Sequence, residues 1–300
     1  MKFAAFLGCT IPVRGQNYEL SARKVCEAFG IELVNVPDFS CCGFPVISTD
    51  VPTANAMAVL QLSYAEEQGL EIMSLCSACT AVLAEANHRF HHDERSRDQA
   101  LEYLAQIDRT YEGTVKIRHI ARVFIEDIGL DAIREKVVHP LGDLLFAPHY
   151  GCHYLKPSKA HDKFDSPEDA HTLDLIIEAL GGKSLNYLSK YNCCGGALLP
   201  VDEDLALSMA GKKLDEVTER QADAMVLFCP FCSVMYDDNQ RKIAEVREKE
   251  YDLPVVYLPQ LMGLAFGMDP KDDLGLNMNR IKTTGLLEKL GLGKDQEKAD

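Results

Sequence analysis

The sequence Cys41-Cys42-Gly43 occurs a second time in the chain, as Cys193-Cys194-Gly195. Each copy follows a single cysteine and precedes a Cys-x-x-Cys pair. The whole template is therefore written twice, as Cys9, Cys41, Cys42, Cys76 and Cys79 and again as Cys152, Cys193, Cys194, Cys229 and Cys232. Ten of the eleven cysteines belong to these two copies. A duplicated pair of domains is the simplest account of such a repeat.

The spacing of the cysteines is similar in the two copies. The gaps are 31 and 33 residues in the first copy and 40 and 34 in the second. Within each copy, short apolar runs alternate with helical stretches, which is typical of α/β units with parallel strands. We therefore predict an α/β fold with two duplicated domains, at residues 1–138 and 139–285, followed by a tail at residues 286–300. A chain of 300 residues is long enough for two domains of ordinary size.

The predicted strands end close to the cysteines. They cover Lys2–Leu7, Ile31–Val36 and Glu71–Leu75 in the first half, and Asp143–Ala147, Lys183–Leu188 and Ala224–Phe228 in the second. Helices are predicted over Asn17–Phe29, Thr53–Gln68, Pro167–Leu180 and Asp202–Gln221. Ligand sites of open parallel sheets gather at the carboxyl ends of the strands. We therefore expect the five cysteines of each half to converge on one site at that edge.

The composition argues against two classes of function. A formal net charge of −15 is unfavourable for binding the phosphate backbone of nucleic acid. No apolar run reaches the ~18–20 residues needed to cross a bilayer, so no membrane span is expected. Eleven cysteines exceed what packing requires, and in a reducing compartment such a set indicates metal or redox chemistry rather than disulfides. A soluble cytoplasmic protein is expected.

Five cysteines in each half favour an iron–sulfur cluster as the ligand. A Cys-x-x-Cys turn serves zinc and iron–sulfur clusters alike. A structural zinc ion takes four ligands, and so does an ordinary cubane cluster, so either one cysteine is spare or the cluster is not an ordinary cubane. Zinc, and redox-active thiols without metal, stay open as alternatives. Cys26 lies outside the repeat, within a predicted helix, and is expected to be a buried apolar thiol.

Through both copies of its cysteine template, the chain resembles the CCG-domain family over nearly its full length, and in particular the B-type subunits of heterodisulfide reductase. The resemblance implies that each half binds a non-cubane 4Fe-4S cluster with all five of its cysteines. It further implies that the two clusters reduce the mixed disulfide of coenzyme M and coenzyme B, which lies between them. Related doubled chains occur in sulfur-oxidising, succinate or fumarate, and lactate or glycerol-phosphate oxidising complexes, and the cysteines alone do not distinguish these.

The resemblance also implies two partner subunits. One is the C-type subunit, which carries ordinary cubane 4Fe-4S clusters, and the other is the A-type subunit, which carries flavin. The sequence has no glycine-rich phosphate loop of the P-loop or dinucleotide type, so the flavin is expected on another chain.

A substrate that bears sulfonate, phosphate and carboxylate groups needs cations in an acidic protein. Arg14 and Lys156 follow the first cysteine of each copy at similar distances, and they are candidates for binding the substrate, with Lys190 as a third. His149 and His153 flank the first cysteine of the second copy, where either can donate a proton to a leaving thiolate or a hydrogen bond to a cluster sulfur. The predicted catalytic set is His153, Lys156 and Arg14.

Overall fold

The computed structural model describes residues 1–293. The strands in this part of the chain are β1 Lys2–Phe6, β2 Glu32–Val34, β3 Glu71–Ser74, β4 Ile117–His119, β5 Leu145–His149, β6 Lys183–Ser184, β7 Ala224–Leu227 and β8 Val255–Tyr257. The α-helices are α1 Ile11–Arg14, α2 Gln16–Ala28, α3 Val51–Glu67, α4 Ser77–His92, α5 Glu94–Ala105, α6 Ile120–Val123, α7 Leu130–Glu135, α8 Cys152–Leu155, α9 Thr172–Ala179, α10 Glu203–Glu219, α11 Pro230–Ser233, α12 Gln240–Arg247, α13 Leu258–Ala265 and α14 Thr284–Lys289. Single 3-10 turns cover Phe44–Val46 and Leu276–Met278, and π-helical turns cover Phe124–Ile128 and Val234–Asp238.

Each half contains one parallel sheet of four strands. The strand order is β2-β1-β3-β4 in the first half and β6-β5-β7-β8 in the second. The central pairs have matching registers, with Phe6 beside Ser74 and His149 beside Leu227 at their carboxyl ends. Since every pair is parallel, the carboxyl ends of the strands lie at one edge of each sheet. The predicted α/β fold with two duplicated domains is confirmed.

The predicted elements are present, and several bounds differ. Helix α9 begins at Thr172 instead of the predicted Pro167. Strand β5 ends two residues later than predicted, because Pro148 interrupts the apolar run while still fitting the ladder. Strand β6 covers only two residues, since the Glu216 carboxylate accepts the amides of Leu188 and Ser189 at 2.7 and 2.9 Å and draws the backbone away. The sequence pattern does not predict β4 and β8, which are too short for a periodic signal.

Helices α3 and α10 occupy the same place in the two halves. Each begins after an aspartate that caps it, Asp50 accepting from the Thr53 amide at 3.1 Å and Asp202 from the Leu205 amide at 3.0 Å. The two capping aspartates are 152 residues apart in the sequence, and so are the two Cys-Cys-Gly sequences. The buried faces match under the same offset, with Ala54, Ala58 and Leu62 in α3 and Ala206, Ala210 and Leu214 in α10. Positions along the two helices can therefore be compared one by one.

The two halves pack against each other at the carbonyl of Phe228, the residue before Cys229. The Tyr18 hydroxyl donates to this carbonyl at 3.1 Å, and Nε2 of His119 donates to it at 3.2 Å, since Nδ1 of the same ring accepts the Ala121 amide. The Tyr18 ring also stacks on Tyr257 at a centroid distance of 4.1 Å. These buried contacts fix the carboxyl edge of the second sheet against the first half.

None of the helices in the described part of the chain is long and apolar enough to span a membrane. The boundary predicted between residues 138 and 139 falls in the segment between α7 and β5, and its position stays a prediction. Of the predicted tail, residues 286–289 belong to α14, and residues 294–300 lie outside the described residues.

We expect Tyr18→Phe to lower the free energy of unfolding by about 1 kcal/mol, because it removes one buried hydrogen bond to the Phe228 carbonyl. Tyr103→Phe is the control, since Tyr103 is 40% exposed, and its effect should stay within about 0.5 kcal/mol. Urea titration of the two variants measures the difference. Equal stability of both variants would show that the Tyr18 hydrogen bond does not hold the halves together.

Candidate metal centre

The carboxyl ends of the central strands deliver the single cysteines and the Cys-x-x-Cys pairs. Cys9 lies three residues after β1, and Cys76 lies two residues after β3 and immediately before α4. In the second half, Cys152 begins α8 three residues after β5, and Cys229 lies two residues after β7 and immediately before α11. The Cys-Cys-Gly sequences lie in the loops ahead of α3 and α10. The expected convergence at this edge is therefore present in both halves.

In the first half the five thiols form a continuous series of neighbours. Cys41 interacts with Cys42, which raises the pKa of Cys41, and the nearby Cys9 thiol raises it further. The Cys42 and Cys79 sulfurs are 3.4 Å apart, and Cys79 interacts with Cys76. The order along the series is Cys9, Cys41, Cys42, Cys79, Cys76.

The second half repeats this order at equivalent positions. The Cys152 and Cys193 sulfurs are 3.9 Å apart, and Cys193 interacts with Cys194. Cys194 interacts with Cys232, and Cys232 interacts with Cys229. The order along the series is Cys152, Cys193, Cys194, Cys232, Cys229. Both halves of the chain thus present the same five-thiol arrangement.

The two series meet at Cys76 and Cys229. These two thiols are close enough across the interface to affect each other's titration. Cys229 raises the pKa of Cys76, and the pKa of Cys229 is lowered first by Cys232 and then by Cys76. Both sulfurs are buried, with exposures of 2% and 5%. All ten thiols of the template therefore form one series that crosses from the first half to the second.

Glycines make room for the sulfurs. A Cβ on Gly8 would lie 2.7 Å from the Cys79 sulfur, and one on Gly151 would lie 3.4 Å from the Cys232 sulfur. Gly43 and Gly195 have φ values of +92° and +81°, which only glycine adopts freely, and a Cβ on either would press on the following helix. Four glycines beside sulfurs in matching places indicate a site that needs close backbone approach.

Backbone amides stabilise negative charge on the adjacent cysteines. The amides of Gly43 and Gly195 each donate to the first sulfur of their Cys-Cys pair at 3.4 Å, and the Gly196 amide donates to Cys194 at the same distance. A hydrogen bond from Cys41 lowers the pKa of Cys42 to about 4. Since thiolates are the species that ligate metals, the three amide hydrogen bonds would stabilise Cys41, Cys193 and Cys194 in their ligating form.

A buried histidine and a buried lysine stand beside the second series only. A ring nitrogen of His149 and the sulfurs of Cys194 and Cys232 all lie within 4.8 Å of one another. Nδ1 of His149 is 2.9 Å from Nζ of Lys213, a residue of α10 that is 1% exposed. Burial lowers the pKa of Lys213 to about 7, and the charges of nearby cysteines, Cys232 first, act against that lowering. Burial also holds the pKa of His149 well below its ordinary value.

The predicted catalytic residues lie at different distances from this arrangement. Nδ1 of His153 is 3.2 Å from the Cys152 sulfur, and its ring meets Phe44 of the first half edge-on at 4.9 Å. Lys156 is exposed and begins the segment 156–171, which lengthens the second copy. Arg14 is exposed at the end of α1 and has a long ion pair of 3.9 Å with Asp238. Only His153 is in contact with a cysteine of the template among these three, within the described residues.

Two further predictions concern Lys190 and Cys26. Lys190 is 4% exposed and forms an ion pair with Asp174 at 2.7 Å, so its charge is already neutralised inside the protein. Its predicted role as a third cation for the substrate has no support in this geometry. Cys26 is fully buried in α2, and burial raises the pKa of its thiol to about 12. It stays protonated and inert, as a buried apolar thiol should.

Lys213 is the residue near the site that the motifs do not reveal. The signal lies in the comparison of the two helices, because Lys213 occupies the position of Gln61 under the 152-residue offset. Lys213 lies on the buried face of α10, beside Ala210 and Leu214. Lysines are almost never fully buried unless they are paired, so its position indicates buried hydrogen-bond partners.

The donor set fits an iron–sulfur cluster in each half. Five thiols converge, whereas a structural zinc ion takes four ligands. The glycines beside Cys79 and Cys232 leave space against the sulfurs, and Nε2 of His149 is a buried polar atom with no hydrogen-bond partner within residues 1–293. A ligand with its own sulfur acceptors would satisfy that atom.

Comparisons with known proteins agree with the duplicated site. The model of the CCG cysteine-rich domain family matches residues 3–84 and 146–237. A protein of Archaeoglobus profundus, named as similar to the B subunit of heterodisulfide reductase, is 32% identical over 281 residues, which is 92% of this chain and 94% of that protein. The B subunit of the ferredoxin:CoB-CoM heterodisulfide reductase of Methanosarcina mazei is 33% identical over 293 residues, or 96% of this chain and 97% of that one.

A third relative is named for a different function. The 8-methylmenaquinol:fumarate reductase membrane anchor subunit of Wolinella succinogenes is 30% identical over 289 residues, covering 95% of this chain and 99% of that protein. Among solved structures, a hypothetical protein from Helicobacter pylori has the same fold, with a TM-score of 0.76 at 16% identity. The match covers 94% of this chain and 52% of that one.

Gly195→Ala should destabilise the protein by roughly 2–4 kcal/mol, because the new Cβ would lie 2.9 Å from the Ala206 carbonyl in addition to the strained backbone. Gly69→Ala is the matched control. Gly69 has a φ of +62° with nothing within 4 Å of an added Cβ, so its cost should be only about 1 kcal/mol. Urea titration compares the two, and equal losses would mean that the Cys-Cys-Gly loop has room for a side chain.

Proposed function

Because the chain belongs to the CCG cysteine-rich domain family and carries two copies of that domain, we propose that it is the catalytic iron–sulfur subunit of a heterodisulfide reductase. Its substrate is the mixed disulfide of coenzyme M and coenzyme B, which it reduces to two thiols. The observation that carries the proposal is the continuous series of ten thiols that crosses the interface at Cys76 and Cys229. Two relatives named for this function match the chain over more than nine-tenths of its length.

The two series are proposed to hold one non-cubane 4Fe-4S cluster each. Cys9, Cys41, Cys42, Cys76 and Cys79 hold the N-terminal cluster, and Cys152, Cys193, Cys194, Cys229 and Cys232 hold the C-terminal cluster. When bound, the clusters supply electrons one at a time at two adjacent places, which suits a disulfide because its reduction takes two electrons and two protons. The contact between Cys76 and Cys229 brings the two places together.

His153 is proposed to donate a proton to one of the two product thiolates. Its ring lies between the Cys152 sulfur and Phe44, at the junction of the two halves. A proton donor at this place serves the thiolate that forms beside the C-terminal series. Phe44 and Phe231, with ring centroids 5.7 Å apart, add apolar surface next to it.

Lys156 and Arg14 are proposed to bind the anionic groups of the substrate. Each follows the first cysteine of its half at the end of a short helix. Lys156 has no ion-pair partner within the described residues, and the pairing of Arg14 with Asp238 is long. Their charges are therefore available to a sulfonate, phosphate or carboxylate.

The electrons are proposed to arrive through partner subunits in a cytoplasmic complex. A C-type subunit with cubane 4Fe-4S clusters would pass them on, and an A-type flavin subunit would supply them. The flavin is assigned to another chain because this sequence has no glycine-rich phosphate loop.

A second candidate function is electron transfer to a different reaction. The Wolinella succinogenes relative is named as part of a fumarate reductase, at nearly the same identity as the heterodisulfide reductase relatives. In that case the chain would relay electrons between a quinol and another subunit without binding a disulfide. The cysteine series serves either function, so the substrate must be decided by assay.

Anaerobically purified protein should contain about eight irons and an equal amount of acid-labile sulfide, the content of two four-iron clusters. Cys42→Ala and Cys194→Ala should each retain about half of that content, because each removes a ligand from one series only. Cys26→Ala is the control and should retain the full content. Stoichiometric zinc without sulfide would contradict the cluster assignment, and full iron in both ligand variants would contradict the assignment of ligands.

The purified chain should oxidise a reduced viologen dye in the presence of the mixed disulfide and release two thiols per disulfide. Cys42→Ala and Cys194→Ala should reduce the rate to background, because one cluster alone cannot supply both electrons at once. Cys26→Ala should keep the activity of the unmodified chain. Intact clusters that exchange electrons with a menaquinol analogue but leave the disulfide unchanged would favour the second candidate.

A further inference from the structure

The two halves present the same cysteines but different neighbours. Under the offset of 152 residues, Lys213 takes the place of Gln61, and both are 1% exposed. In the sheets, His149 and Phe6 occupy the same place at the end of the central strand. The second series therefore has a cation and an imidazole where the first has an amide and a phenyl ring.

The hydrogen bonds of Gln61 and Lys213 serve the same loop in each half. The Gln61 side chain accepts the Ser40 amide at 2.7 Å and donates to the Ser40 hydroxyl at 3.1 Å, just before the first Cys-Cys pair. Nζ of Lys213 donates to the carbonyls of Lys190 and Asn192, each at 3.0 Å, just before the second pair. The exchange of Gln for Lys keeps the support of the loop and adds a buried charge.

The third hydrogen bond of Lys213 determines which nitrogen of His149 carries a proton. When Lys213 is protonated, its ammonium group has three donors and no acceptor, and two of the donors are used by the carbonyls. The third points to Nδ1 of His149 at 2.9 Å, so Nδ1 accepts and the neutral ring carries its proton on Nε2. This Nε2–H is buried and has no acceptor in residues 1–293. A ring nitrogen of His149 and the sulfurs of Cys194 and Cys232 lie within 4.8 Å of one another, so the imidazole stands beside the proposed cluster ligands.

We propose that Lys213 and His149 act as a pair that raises the reduction potential of the C-terminal cluster above that of the N-terminal cluster. Lys213 is a positioning residue that fixes the tautomer of His149 and contributes positive charge, and His149 donates its Nε2–H to a sulfur of the cluster site. Hydrogen bonds to sulfur and positive charge nearby both favour the reduced cluster, which is more negative by one electron. Electrons that enter the protein therefore settle first in the C-terminal half.

This inference rests on the proposed cluster binding and is independent of the substrate. It assigns different reduction potentials to two cluster sites that have the same cysteine ligands. With both clusters bound, the half with the more readily reduced cluster would hold the first electron until the second arrives. The same half contains His153, so the stored electron and the proposed proton donor lie on the same side of the interface.

The test is an EPR-monitored redox titration at one fixed pH below 7, where Lys213 is protonated. Lys213→Gln gives the second half the residue that the first half has at the equivalent position, Gln61. His149→Phe likewise introduces the equivalent of Phe6 at the end of the central strand. Lys212→Gln is the matched control, because it removes the same charge from the neighbouring, exposed position of α10. Each substitution is made in the unmodified chain and in the Cys42→Ala background, in which the C-terminal cluster alone is expected. Iron content is measured on every sample.

Lys213→Gln should lower the equilibrium constant for reduction of the C-terminal cluster by at least about tenfold, or ~59 mV for one electron. His149→Phe should lower it in the same direction while Lys213 stays in place, so the two variants test the pair independently. The N-terminal cluster and the Lys212→Gln control should keep their midpoint potentials.

Two results would overturn the inference. Iron-loaded Lys213→Gln and His149→Phe proteins with the midpoint potentials of the control would refute it and leave the proposed function intact. A chain that binds no iron would refute the proposed function, and this inference with it. Activity on the mixed disulfide does not enter the comparison, so a different substrate leaves the test valid.

Discussion

The parallel pairing of the central strands is the constraint on which the site depends. Pairing of β1 with β3 ends at Phe6 and Ser74, and pairing of β5 with β7 ends at His149 and Leu227. In each half this register brings the residues after both strands to one edge, where the single cysteine and the Cys-x-x-Cys pair meet. The loop with the two adjacent cysteines supplies the remaining two thiols of each half. In this loop a glycine with positive φ redirects the backbone toward the helix that follows.

The sequence predicts the fold well because the fold depends on local patterns, and the assignment of the cysteines as ligands stays a prediction. Apolar runs and turn residues identify the strands and helices, and similar spacing identifies the candidate ligands of each half. Contacts between the halves cannot be read in this way, since the meeting of Cys76 with Cys229 depends on how two separate sheets pack. The same holds for Lys190, which pattern alone presents as an available cation and which Asp174 neutralises in the fold.

Lys213 shows that some functional residues can be identified only when the two copies are compared and their contacts in the fold are known. No motif contains it, and its helix is correctly predicted without it. Its meaning appears only when the duplicated helices are aligned and the partners in the fold are known, namely His149 and two carbonyls of the preceding loop. Residues that act through a neighbour carry no signature of their own, because the chemistry lies in the contact and not in the residue type.

The contact of Cys76 with Cys229 joins equivalent positions of the two copies. Contacts between equivalent residues are what a two-fold axis produces in a dimer of identical subunits. In such a dimer every substitution appears in both subunits. Equivalent positions therefore always carry the same residue, and one copy could not have lysine where the other has glutamine. Joining the copies in one chain removes that restriction, and each half can change alone. The covalent link between α7 and β5 is therefore what permits two sites with the same ligands to differ in their surroundings.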